Sequence, residues 1–150
     1  MINTRPATEE DIPRILEIER EVISPPWTHG ALLSEVYNDD SFFVVAAGQH
    51  GIIQGFTILR RFADEAELLQ IAVDSSVRRR GVADALMAAA LEFSAHSALR
   101  SVFLEVRKSN EAAIMLYKKH GFKPVRFRKD YYSYPTEDAV VMSLSNHAQT

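Results

Sequence analysis

The run Leu68-Leu69-Gln70-Ile71-Ala72-Val73, the basic loop Arg78-Arg79-Arg80-Gly81 and the Ala/Leu-rich segment from Val82 to Phe93 together decide the fold. The run is short, apolar and bounded by charge, which predicts a strand buried on both faces. Val82, Leu86, Ala89, Ala90 and Phe93 recur at helical spacing, so a helix follows the loop. A helix N-terminus carries unpaired N–H groups and about half a positive charge. Gly81, without a side chain, leaves that backbone open to a ligand. The three arginines beside it favour phosphate, although a run of arginines is equally at home on a solvated face.

Working outward, 150 residues with 47% hydrophobic and 25% charged content fit one domain spanning 1–150 with a single substantial core. There is no apolar run of about 18 residues and no charged-then-apolar leader, so neither a membrane span nor a signal peptide is expected, and cytoplasmic placement is the default. The absence of cysteine excludes disulfides, thiolate metal sites and an acyl-cysteine intermediate. The net charge of −3 hides an asymmetry: residues 1–77 carry 5 Lys/Arg against 13 Asp/Glu, and residues 78–150 carry 12 against 7. A polyanionic ligand would be drawn to the second half and a cationic amine to the first, unless both are merely solvated surfaces. With a pI of about 5.9 and no nucleic-acid module, nucleic acid is a poor partner. Phosphate-loop, dinucleotide, His-Glu-x-x-His and Gly-x-Ser-x-Gly motifs are all missing. His29, His50, His96, His120 and His147 make no metal-ligand spacing and read as surface or packing residues.

In chain order, Ile2 to Arg5 is a short strand, and Asp11 is the expected cap of a helix whose inner side holds Ile12, Ile15, Leu16, Glu19, Val22 and Ile23. Pro13 then falls in the first turn, where a missing N–H costs nothing. After the rigid Ser24-Pro25-Pro26-Trp27 turn, Thr28 caps a second helix with Leu32, Leu33, Val36 and Tyr37 as its apolar positions. Strands over 42–47, 52–61 and 67–73, separated by turn signals, predict an antiparallel meander. Past the central helix, 101–107 is a strand with Val102, Leu104 and Val106 on one face and Phe103, Glu105 and Arg107 on the other. Asn110 caps the next helix and Gly121 ends it. Segments 122–128 and 140–144 are the last strands, joined by Tyr131-Tyr132-Ser133-Tyr134-Pro135, with residues 145–150 as a frayed tail.

The spacing Arg78-x-x-Gly81-x-Ala83 resembles the pyrophosphate loop of the GCN5-related N-acetyltransferase (GNAT) family, (Gln/Arg)-x-x-Gly-x-(Gly/Ala). Leu104-Glu105-Val106-Arg107, Ser109-Asn110-Glu111-Ala112-Ala113 and Leu116-Tyr117 through Phe122 are similar to its second acetyl-CoA segment. Pro26-Trp27, Asp64-Glu65-Ala66-Glu67-Leu68 and Tyr131-Tyr132 with Glu137-Asp138-Ala139-Val140-Val141-Met142 extend the likeness to the ribosomal protein alanine N-acetyltransferases of the RimI type. The resemblance implies a mixed α/β fold in the order β-α-α-β-β-β-α-β-α-β-β, with parallel fourth and fifth strands that splay to admit acetyl-CoA. It further implies that main-chain groups from Ile71 through Ala72 to Val73 hold the acetyl and pantetheine arm. The loop and helix start, from Arg78 through Arg79, Arg80, Gly81, Val82 and Ala83 to Asp84, would hold the pyrophosphate, and Asn110 would contact the cosubstrate. The acceptor it implies is a protein N-terminus, that of a ribosomal protein in the RimI type, with no nucleic acid, membrane or metal involved.

Acetyl transfer to an amine needs a neutral nucleophile, a donor for the oxyanion and a proton for the leaving thiolate. An α-amine, with a pKa near 8, is deprotonated at neutral pH far more readily than a lysine near 10.4. Glu105 is the candidate general base, its alternative being an ion pair with Arg107 or Lys108. Tyr117 is the candidate general acid, its alternative being a core tyrosine with a satisfied hydroxyl. The resemblance selects the catalytic reading for both, since the matching Glu and Tyr are the proposed acid/base pair of the RimI type. Lysine, amino-acid or polyamine acetylation, or a non-catalytic acetyl-CoA-binding module, are the alternatives for the chain as a whole. Asp84 departs from the pattern, standing where relatives often carry a basic residue, and one carboxylate there would weaken cosubstrate affinity.

Overall fold

The structure, a computed structural model, describes residues 1–146. Within them the strands are β1 Asn3–Pro6, β2 Ser41–Ala47, β3 Ile53–Phe62, β4 Glu65–Val73, β5 Ser101–Arg107, β6 Lys123–Tyr132 and β7 Glu137–Ser145. The helices are α1 Ile12–Val22, α2 His29–Val36, α3 Val82–His96 and α4 Glu111–Lys119, in the order expected. One sheet runs β1-β2-β3-β4-β5-β7-β6. Its β1 to β4 half is antiparallel, β5, β7 and β6 form a second antiparallel set, and β4 and β5 join the two sets in parallel.

That parallel joint is short. Only Glu65, Ala66 and Glu67 pair with Ser101, Val102 and Phe103. Its closed end is fastened by Arg100, which donates to Asp64 and Glu65, and by the Ser101 hydroxyl, which donates to Glu65 at 2.9 Å. Beyond Glu67 the strands part, leaving the β4 edge from Leu68 to Val73 without strand partners on its β5 side among the described residues.

Each face of the sheet has its own core. Ile12, Ile15, Leu16, Ile18 and Leu32 of α1 and α2 cover Phe43, Val45, Phe56, Ile58 and Ala72 on one side. On the other, Met87 of α3 and Tyr117 of α4 pack with Leu68, Val102, Leu104 and Val106, and Val82 and Leu86 of α3 pack with Val44 and Ala46. Gly55 lets α3 lie close on the sheet: a Cβ there would stand 2.7 Å from the Ala72 carbonyl oxygen and 3.1 Å from Val82.

Several expectations are corrected. The 68–73 run is not buried on both faces: Leu68, Gln70 and Ala72 are buried, while Leu69, Ile71 and Val73 are half-exposed. A bulge puts Leu69 in excess, since Ile58 pairs with Gln70 and Leu59 with Leu68. Leu68 therefore faces α3, while Gln70 turns to the α1 side. Asp11 stands before α1 but does not cap it with its side chain. Thr8 starts the preceding turn, and the Asp11 carboxylate accepts from the Thr8 N–H at 2.8 Å and pairs with Arg5. Tyr37 lies beyond α2, 67% exposed, with its hydroxyl donating to Glu9. Tyr131 and Tyr132 close β6 instead of forming a connecting loop, so the β6–β7 turn is only 133–136. Ser145 ends β7, and Asn146 is held by bonds to Leu99 and Arg100, so the expected tail is ordered that far; residues 147–150 lie outside the described residues. Among the described residues no helix is long and apolar enough to cross a membrane.

Candidate active site

The site forms where β4 and β5 separate. A cavity of about 410 Å³ opens there, lined by Ile71 of β4, Glu105 of β5, Asn110, Tyr117 of α4, Ile23 and Ser24 after α1, and Tyr132, Tyr134 and Pro135 of the β6–β7 hairpin. Ile71, Glu105, Asn110 and Tyr117, far apart in sequence, are thus brought to one space. Asn110 also caps α4, its side-chain oxygen accepting from the Ala113 N–H at 3.2 Å.

A second cleft lies at the next position along the β4 edge. Val73, Val77, Arg78, Arg79, Gly81, Val82, Ala83 and Asp84 line it. Gly81 adopts φ +83°, a conformation that costs other residues more, and a Cβ on it would meet no atom within 4 Å. The glycine is therefore required for its backbone angle, and the space in front of the first α3 N–H groups is open. Arg79 also has positive φ, at 66°. Val82 is buried, so only its main chain can face a ligand. Ala72 is buried under α1, and its contribution is likewise limited to the main chain. Arg80 is not brought to this cleft; it borders a separate hollow with Met1, Ile2, Gly48, Gln49 and Gln54.

Asp84 is neutralised in a way the sequence did not reveal. Lys119 donates to it at 3.0 Å and His120 Nε2 lies at 2.8 Å, both from the end of α4. His120 first, then Lys119, hold its carboxyl below the usual carboxylate range. The carboxylate therefore opposes an anion at the α3 N-terminus less than its charge alone suggests, and His120 has a polar role.

Glu105 is neither free nor paired with Arg107 or Lys108. Arg128 of β6 donates to its Oε2 at 2.5 Å and the Tyr131 hydroxyl to its Oε1 at 2.8 Å. Arg107 instead pairs with Glu137, donates to the Ser133 and Pro135 carbonyls, and lies 4.5 Å from the Tyr132 ring centroid. Tyr117 is 8% exposed and packs edge-on against Phe122, and among the described residues its hydroxyl makes no hydrogen bond. Burial, with a smaller contribution from Tyr132, pushes it up to about 12.

Sequence reasoning missed Glu67. It sits half-buried at the last β4–β5 pair, with no hydrogen bond or ion pair among the described residues. Burial first, then the nearby Glu105 charge, raise its pKa. The missed signal was an acidic residue set directly before the apolar 68–73 run. Behind the cavity, fully buried Glu19 accepts from the Trp27 N–H at 3.0 Å and from the Gln70 amide, while Trp27 Nε1 donates to the Gln70 oxygen. This network ties the α1–α2 connection to the β4 bulge.

Comparison with known proteins bears on this geometry. A [ribosomal protein bS18]-alanine N-acetyltransferase of Escherichia coli (strain K12) is 33% identical over 138 residues, covering 89% of this chain and 90% of that protein. A putative enzyme of the same name from Bacillus subtilis (strain 168) is 32% identical over 133 residues, covering 89% and 88%. The crystal structure of the ribosomal-protein-S18-alanine N-acetyltransferase from Escherichia coli superposes with TM-score 0.88 at 29% identity, over 97% of this chain and 94% of that one. Arabidopsis thaliana NAA60 in complex with acetyl-CoA has the same TM-score at 22% identity, covering 99% and 100%, and shares the fold. With the acetyltransferase (GNAT) family pattern matching residues 12–122 and relatives above 30% identity along most of its length, the chain belongs to the acetyltransferase (GNAT) family, whose members are acetyl-CoA-dependent N-acetyltransferases.

Proposed function

We propose that the protein transfers the acetyl group of acetyl-CoA to the N-terminal α-amine of a protein in the cytoplasm, the N-terminal alanine of a small-subunit ribosomal protein being the acceptor suggested by its relatives. The observation that carries this reading is the convergence of Glu105, Tyr117, Asn110 and the open Ile71–Val73 edge where the strands part, next to the Gly81 cleft. Acetyl-CoA supplies an activated thioester. The first N–H groups of α3, with Arg78 and Arg79, hold its diphosphate, and main-chain groups of Ile71, Ala72 and Val73 hold the arm and the carbonyl oxygen.

Glu105 accepts the proton of the attacking amine, directly or through a water, as the N–C bond forms and the C–S bond breaks. Tyr117 donates to the departing sulfur. A phenol at about 12 sits roughly 3.5 units above a free thiol, so full transfer to a solvated thiolate would be uphill. The same burial raises a thiol confined beside it, which narrows that gap, and the hydroxyl stays protonated throughout the working pH range. An α-amine near 8 fits this arrangement better than a lysine.

A second reading of the base is favoured by one observation: Glu67, beside Glu105, makes no hydrogen bond or ion pair among the described residues and is pushed up by burial, so it can take the proton while Glu105 attracts the ammonium. Acetylation of a panel of short peptides, followed by mass spectrometry, tests the acceptor. Free N-termini beginning with alanine are expected to react and blocked ones to remain unmodified. Reaction at lysine in blocked peptides would overturn the α-amine assignment.

A further inference from the structure

Residues an odd number apart on a regular strand point to opposite faces. Arg128 and Tyr131 are three apart on β6, yet both reach Glu105, one at each carboxylate oxygen. The reason lies in the register. Arg128 pairs with Ala139 and Tyr132 with Glu137, so three residues, 129–131, stand opposite Asp138 alone. Asp130 takes φ +53° there, and its N–H donates to the Asp138 carboxylate at 2.9 Å. The Arg128 guanidinium lies 4.4 Å from the Tyr131 ring centroid, which locks the two donors together. Such bulges re-aim side chains beside sites.

The groups facing Glu105 are Glu67 of β4, carrying like charge, and Arg128, Tyr131 and Tyr132 of β6, of which Arg128 is its ion-pair partner. The Glu105 side chain is 15% exposed, leaving few alternatives to this geometry. We infer that Arg128, delivered by the β6 bulge together with Tyr131, is a positioning residue: it holds Oε2 of Glu105 while Tyr131 holds Oε1, which fixes the carboxylate for proton acceptance. It acts through Glu105 and not on the acceptor peptide. The inference rests on the reading of Glu105 as the base.

The test is a double-mutant cycle on the full chain, reading kcat and acceptor KM with an alanine-initiated peptide, acetyl-CoA affinity by calorimetry, and melting temperature. Arg128→Gln is expected to lower kcat about tenfold with acceptor KM no higher and acetyl-CoA affinity unchanged, and Arg128→Lys to recover part of the loss. In a Glu105→Gln background, Arg128→Gln is expected to have no further effect on kcat, because the two act as a unit. A tenfold loss that persists in that background, or a raised acceptor KM with kcat unchanged, overturns the inference while leaving Glu105 as the base. Should Glu105→Gln turn over like the wild type, the base assignment falls and the inference with it. If Arg128→Gln does not fold, Arg128→Lys alone carries the cycle: a loss in kcat absent from the Glu105→Gln background supports the inference, and an equal loss in both backgrounds refutes it.

Discussion

Gly81→Ala separates the cost of a backbone angle from the cost of a blocked ligand. Gly81 sits at φ +83° and an added Cβ touches no protein atom within 4 Å. The stability cost is therefore conformational, about 1 kcal/mol for a non-glycine residue in the left-handed region. In a chain of this size that lowers the melting temperature by roughly 2–4 °C. Gly81, however, lines the cleft with Arg78, Arg79, Ala83 and Asp84, so a methyl group there takes space from a ligand held against the loop backbone. Acetyl-CoA affinity is expected to fall at least tenfold, about 1.4 kcal/mol. Gly121→Ala is the control. It also has positive φ, at 98°, but its Cβ would stand 3.0 Å from Leu144 Cδ1, and Gly121 does not line the cleft. It should melt at least as early as Gly81→Ala and bind acetyl-CoA normally. Calorimetric titration of both variants decides the matter. Equal, wild-type affinities in the two would refute the placement of the diphosphate at the start of α3.

Glu105→Gln and Tyr117→Phe are each expected to lower kcat by about 10²-fold or more with acetyl-CoA affinity within twofold of wild type, measured by steady-state kinetics and calorimetry; unchanged turnover in both would remove the acid/base pair. Asp74, bonded by the Ser76 N–H and by Arg14, has its carboxyl lowered to about 2. A depressed folded value means that its stabilisation is present above the unfolded value near 3.9 and is lost as pH falls through about 2. Asp74→Asn should thus destabilise at pH 5 and converge with wild type toward pH 2 in urea titrations, and a constant difference across that range would contradict the assignment.

How far the sequence could be read depended on whether a feature is local. Alternation at Val102, Leu104 and Val106 placed β5 correctly because side-chain period and burial coincide there. Thr28 and Asn110 cap their helices with their own side chains, contacts that span three residues. The β4 bulge was invisible, since Leu68 and Leu69 are alike in hydropathy and only the pairing with β3 shows which is in excess. For the site, family likeness pointed to Glu105 and Tyr117, which the fold brings to one cavity, but Arg128 lies 23 residues from Glu105 and reaches it through an irregular register. The partners of Asp84 are 35 and 36 residues away on another helix, so its charge looked unopposed.

A sheet joined over three residue pairs is, mechanically, two panels sharing a zip fastened at one end. Arg100, Ser101 and their acidic partners rivet that end, and the other gapes without either panel having to unfold. Whatever small molecule fills the gape adds its binding free energy to the cohesion of the whole chain. The resistance of this protein to proteases is accordingly expected to rise with the concentration of that molecule.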